Sequence, residues 1–167
     1  LRGPTASDVY RLSSRLAGGS LGRALRWQES GILQQRKRLL ALVAGSAHSL
    51  LNAIFDFADE LGEDREALRE LLDLLRMWIR DVMIAKGGGA TADLLNIDCA
   101  DRAMHMARTL SWPRLFQQDL LVADAQSALQ GPANPKLAME QLLLMLSPTP
   151  GNRGAGPVLQ SNAALTL

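Results

Sequence analysis

The chain is poor in the residues that mark a catalyst or a disulfide-stapled scaffold. It holds one cysteine, Cys99, and two histidines, His48 and His105. A single cysteine permits no internal disulfide and no cysteine metal cluster, which fits a reducing compartment. Aromatic residues make up only 4% of the 167 positions, so any core is built from Leu, Ala and Met. These favour helix, and β-branched residues are sparse, which argues against a sheet protein. No apolar run reaches the ~18–20 residues of a membrane span. No charge of one sign dominates: the net charge is +1 and the pI about 8.2, giving no whole-chain signature of nucleic-acid binding. The start, Leu1-Arg2-Gly3-Pro4, has neither an initiator Met nor a continuous apolar leader. The chain is therefore expected to be part of something longer.

Chemistry-bearing motifs are equally scarce. No G-x-x-x-x-G-K-[ST] phosphate loop occurs. Gly87-Gly88-Gly89 lacks the Lys-Ser/Thr that would follow and reads as a helix terminator. Neither histidine sits in a His-Glu-x-x-His spacing, and both read as partly exposed helical residues. Cys99 has no histidine near it in sequence except His105 and reads as a buried small hydrophobe. Without a nucleophile–base pair, a helical hydrolase using Cys99 has no support. Asp59-Glu60 and Glu63-Asp64 flank a helix junction, where acids suit the helix dipole. Arg36-Lys37-Arg38 points in three directions around a helix and reads as a solvated face. Trp27, Trp78 and Trp112 fall on three different helices and read as core or interface. No residue is assigned a catalytic, cofactor-binding or metal-binding role, and no cofactor is expected.

What is present is helical periodicity. From Asp64 to Lys86, Leu68, Leu71, Leu72, Leu75, Trp78, Ile79, Val82 and Met83 recur at three- and four-residue steps, the period of one helix face. Glu66 with Arg69, and Arg69 with Asp73, are spaced to pair along it. A stripe of that length demands cover by other helices. Before it, residues 5–17 form a short helix with Ser7 as its cap and Val9, Leu12 and Leu16 inward. Gly18-Gly19 stops it, and Ser20 caps a second helix with Leu21, Ala24, Leu25 and Trp27. Ile32 to Leu61 is helical, with Gly45-Ser46 either a break or a tolerated interior glycine. Leu51, Ile54, Phe55, Ala58 and Leu61 form its later stripe. The short turn after Gly62 predicts that this helix lies antiparallel beside the long one.

Beyond the glycines, residues 90–97 read as a loop with one turn at Ala92–Leu95. Asp98 is placed to cap a helix holding Ala100, Ala103, Met104, Ala107 and Leu110. Ser111-Trp112-Pro113 and Asn134-Pro135 each combine a cap with an early proline. The helix after Ser111 carries Leu115, Val122, Ala125 and Leu129 inward. The last, Lys136 to Leu146, turns Leu137, Leu142, Met145 and Leu146 to the core, with Leu143 and Leu144 leaving it apolar nearly all round. Residues after Ser147 read as a mobile tail. The predicted fold class is all-α, a helical bundle over 31–146 preceded by a two-helix piece over 1–30 and followed by a flexible tail over 147–167.

Three phrases carry a family resemblance. Arg11-Leu12-Ser13-Ser14-Arg15-Leu16-Ala17-Gly18-Gly19-Ser20-Leu21-Gly22-Arg23-Ala24-Leu25 resembles the end of the lid subdomain in bacterial clamp-loader subunits of the AAA+ class. Asn134-Pro135-Lys136-Leu137-Ala138-Met139-Glu140-Gln141-Leu142-Leu143-Leu144 is similar to the final helix of their collar domain. Leu71 to Ala85, followed by a loop with Asn96 and Asp98, is similar to the central collar helix. Within that family the chain most resembles the delta-prime type of DNA polymerase III subunit. ATP-hydrolysing relatives place a sensor arginine in a Gly-Ser-Leu-Arg phrase. Here Gly22 takes that position and Arg23 follows one step later, turned by about 100° on a helix. The resemblance implies a non-catalytic collar in DNA replication, in the cytoplasm. Its implied partners are delta and gamma/tau subunits, with DNA and the sliding clamp met only through the assembled complex and no membrane. A gamma/tau collar or a stand-alone helical adaptor is the alternative.

Overall fold

The computed structural model describes residues 6–45 and 50–147. Among them every regular element is helical. The order is α1 (Ala6–Leu16), α2 (Leu21–Glu29), α3 (Ile32–Val43), α4 (Leu50–Leu61), α5 (Arg65–Lys86), α6 (Ala100–Thr109), α7 (Trp112–Gln130) and α8 (Pro135–Leu146). Two short 3-10 turns, Thr91–Asp93 and Ile97–Cys99, lie between α5 and α6. The all-α expectation holds. The readings on Ser46, His48 and the tail after Ser147 fall outside the described residues.

Helix α5 is the centre, packed against α3, α6 and α7. Asp64 starts it by accepting from the amides of Glu66 and Ala67 at 3.0 and 3.2 Å. Leu68, Leu71, Leu72, Leu75, Trp78, Ile79 and Val82 are buried as the period predicts, and Met83 is half-buried. Leu74 and Asp81 are buried as well. Helices on several sides cover an arc wider than one stripe, and each large apolar side chain so buried contributes about 1.5–3 kcal/mol.

The turns obey local chemistry. Gly18 and Gly19 have φ of 59° and 86°, the left-handed region where side chains with a Cβ are strained. They let α1 reverse onto α2. Ser20 then caps α2 by accepting from the amide of Arg23. Ser7 lies inside α1 rather than ahead of it. At the far end of α5, a Cβ on Gly89 would stand 2.4 Å from Cγ2 of Ile84, so only glycine fits. Helix α3 ends at Val43 and Gly45 has φ of 69°, so of the two readings left open there, the break is the one found. Ser111 and Asn134 cap α7 and α8 as read from the sequence.

The cap of α8 is testable. Asn134 Oδ1 accepts from the Leu137 amide at 2.9 Å. Asn134→Ala is expected to lower stability by about 1 kcal/mol, and Asn134→Asp by much less. The urea midpoint measures both, and equal losses would remove the cap from the account.

Several packing expectations fail. Helix α4 does not lie along α5; it packs against α8, with a smaller contact to α3. Its buried side is Ile54, Phe57, Ala58 and Leu61, while Leu51 and Phe55 are exposed. Both stripes have helical spacing, so the pattern alone could not choose between Phe55 and Phe57. In α8 the buried residues are Pro135, Met139, Leu142, Leu143 and Leu146, while Leu137 and Met145 face outward. Likewise Leu21 and Leu25 of α2 are exposed, and Ala24 and Trp27 are buried.

Candidate interaction surface

The basic run Arg36-Lys37-Arg38 is not a solvated face. Steps of about 100° send its members to three environments. Lys37 is exposed. Arg38 pairs with Glu60 and lies 5.3 Å from the centre of the Phe57 ring. Arg36 is fully buried. Its guanidinium donates to both carboxylate oxygens of Asp98 at 2.9 Å and, through Nε, to Asn96 Oδ1 at 3.0 Å.

Asn96 passes the network on. Its side-chain amide and its backbone amide both donate to Asp81 Oδ2, at 2.6 and 2.7 Å. The other carboxylate oxygen of Asp81 accepts from the Leu95 amide at 3.0 Å and from Arg80 at 2.8 Å. Arginine on α3 and aspartate on α5 thus hold the α5–α6 connection between them. Asp98 faces Arg36 and does not cap α6. That helix starts from Cys99 with no side-chain cap.

The network is structural, and its acid dependence follows. Burial pushes the Asp98 carboxyl up, but the hydrogen bonds and charge of Arg36 outweigh it and hold it below its ordinary value. Such a group stabilises the fold above its unfolded pKa and loses that contribution as pH falls through the folded one. Stability is expected to start falling near the unfolded value of about 3.9 and to continue below it. In Asp98→Asn this part of the loss is absent. The urea midpoint against pH measures it, and parallel curves for the two proteins would refute it.

Among the described residues, neither Cys99 nor His105 is poised for chemistry. Cys99 is half-buried, and burial followed by the charge of Asp98 raises its thiol pKa. Less thiolate means a weaker nucleophile. His105 is exposed on α6. Among the described residues no three His, Cys, Asp or Glu side chains gather as metal ligands.

Three arginines instead tie helix ends. Arg65 donates to the carbonyls of Leu129, Gly131 and Ala133, and Arg69 to that of Leu129. These satisfy acceptors that the end of α7 leaves unpaired. The pairs Glu66–Arg69 and Arg69–Asp73 do not form; Asp73 accepts from Gln126 instead. Arg114, in the first turn of α7, donates to the carbonyl of Met145 near the end of α8. Arg23 likewise turns inward, donating to the Ala17 carbonyl at 2.9 Å and lying 5.0 Å from the Trp27 ring centre.

What the interior does not use is an apolar ladder on α7. Trp112, Phe116 and Leu120 are 40%, 55% and 64% exposed. Four-residue steps put them on one face of the helix. The Trp112 and Phe116 rings stack, with centres 5.8 Å apart. Lys86, anchored to the Ala107 carbonyl, lies 6.0 Å from the Trp112 ring centre. On α8, Leu137, Leu144 and Met145 are exposed too. Trp27 and Trp78 are core, so only Trp112 of the three is available to a partner. The inward ladder of α7 was legible; the outward one was a second apolar register beside it that the single-stripe reading passed over. Exposed apolar rows of this kind suit another protein surface.

Residues 30–147 match the family model described as DNA polymerase III, delta subunit, C terminal. No curated protein and no solved structure matches significantly.

Proposed function

The chain belongs to the family formed by the C-terminal domains of DNA polymerase III delta subunits, and on that premise we propose that it is the assembly part of a clamp loader's delta-prime-type member. Family membership places it in DNA replication, in a role that needs no catalytic centre of its own. In this reading residues 1–30 are the end of an AAA+ lid, and residues 31–146 are a collar domain that packs beside the collars of delta and gamma/tau subunits. DNA and the sliding clamp are met through the assembled complex, in the cytoplasm. No helix among the described residues is long and apolar enough to cross a membrane.

The observation that carries the assembly role is the outward ladder Trp112–Phe116–Leu120, three large apolar side chains with no use inside the bundle. The delta-prime assignment is supported by Gly22 at the sensor position and by Arg23, which is spent on the Ala17 carbonyl and the Trp27 ring. Co-expression of the chain with delta and gamma/tau subunits, followed by affinity capture and size exclusion, tests the proposal. A stable complex is expected, and a chain that elutes alone at micromolar concentration overturns it.

A further inference from the structure

The outward row of α7 does not end at Leu120. Asp124 follows four positions later and is exposed, so it continues the row of Trp112, Phe116 and Leu120. The other end of the row carries the opposite charge. Arg65 meets the end of α7 and Arg76 its middle, so α5 and α7 run antiparallel. Lys86, at the end of α5, therefore stands level with the start of α7, beside the Trp112 ring. Lys86 donates to the Ala107 carbonyl. Among the described residues it pairs with no carboxylate, and Asp124 pairs with no cation. Asp119, the other acid of α7, is already held by Arg76 at 3.0 Å. The face is thus an apolar strip with an unpaired cation at its start and an unpaired anion at its end. Trp112 and Asp124 lie about 18 Å apart along the axis.

A strip with opposite charges at its two ends is complementary to itself when turned end for end. A two-fold axis passing between Phe116 and Leu120 sets position 112 against 124 and position 116 against 120. Lys86, beside Trp112, then meets Asp124 of the second copy, and symmetry makes that contact twice. Phe116 of each copy packs on Leu120 of the other. A parallel arrangement would instead put like charges together. We propose that this face binds a second copy of the chain, as an antiparallel two-fold dimer with Lys86 paired to Asp124 across it. This goes beyond assembly with delta and gamma/tau subunits and does not rest on it. A subunit that takes the same face displaces the second copy.

Sedimentation equilibrium of the 167-residue chain alone tests the proposal. The contact is a single helix face, so a weak dimer is expected. The mass should rise from 18.1 kDa toward twice that over roughly 10–100 micromolar. Asp124→Lys and Lys86→Glu should each weaken the dimer about tenfold, because like charges then meet at both ends of a symmetric contact. An equimolar mixture of these two variants should regain parent-like association. In the mixed dimer the two reversed charges face each other, and so do the two unreversed ones. That recovery separates a charge effect from misfolding of either variant. Glu63→Lys, exposed before α5, changes the net charge as Asp124→Lys does and should associate like the parent. Four outcomes each overturn the proposal. They are a monomer throughout the concentration range, parent-like association by both single variants, no recovery in their mixture, and a mass that climbs past two copies, which a closed two-fold contact does not allow.

Discussion

Replacing Arg36 by alanine is expected to destabilise the chain by about 3–5 kcal/mol, the loss that follows when one partner of a buried charged network is deleted. The side chain is fully buried and satisfies Asp98 and Asn96 together. Without it, Asn96 keeps its bonds to Asp81 but loses its Oδ1 donor, and Asp98 is left partly buried without a counter-charge. An unpaired buried acceptor costs about 1–3 kcal/mol by itself, and more if charged. Asp98→Ala should cost less, because that side chain keeps 33% exposure and water can reach the vacated site. Arg36→Lys should fall between, since an ammonium cannot reproduce the forked contact. Urea denaturation followed by circular dichroism ranks the three. A loss below about 1 kcal/mol for Arg36→Ala would mean that the network contributes little to the fold.

The second large effect is on assembly, with a smaller one on stability. Trp112→Ala and Phe116→Ala each remove a partly exposed ring and its stacking partner's contact, so the isolated chain should lose about 0.5–1.5 kcal/mol relative to the parent. Aromatic side chains central to an interface commonly cost about 2 kcal/mol or more on truncation. Each variant should therefore bind the partner subunits about thirtyfold more weakly. The two rings stack on each other, so the double variant should lose less than the sum. Leu51→Ala, on the outward side of α4, is the comparison that separates a specific face from general stickiness. If the ring variants assemble like the parent while Leu51→Ala does not, the interface lies on α4 and the assignment to α7 is wrong.

Several features were plain in the residues. The stripe of α5, the reversal at Gly18-Gly19 and the caps Ser20, Ser111 and Asn134 are all where local rules put them. Each depends on at most one helix turn or one side chain reaching its own backbone. The misreadings involve partners distant in sequence. Arg36 looked like one of three surface cations because Asn96 and Asp98, which bury it, lie some sixty positions away. Asp98 looked like a cap because a local rule offers that role, and a forked pair with a buried guanidinium outweighs it. Leu51 and Phe55 belonged to an acceptable stripe, as did Ile54 and Phe57. The choice between them fell to α8, which packs on α4 where α5 was expected.

By itself the sequence determined that this is an all-helical protein, where most of its helices begin and end, which residues fill the centre of α5, and that no reactive constellation is spelled out. Helix propensity, capping and periodicity act over three or four residues, so one chain read in order contains them. Only the tertiary structure decided which side of α4 and α8 turns inward, that Arg36 is buried, and that Trp112, Phe116 and Leu120 stay exposed. Those outcomes depend on which helices meet, and a side chain's surroundings are set by neighbours that its own segment does not encode.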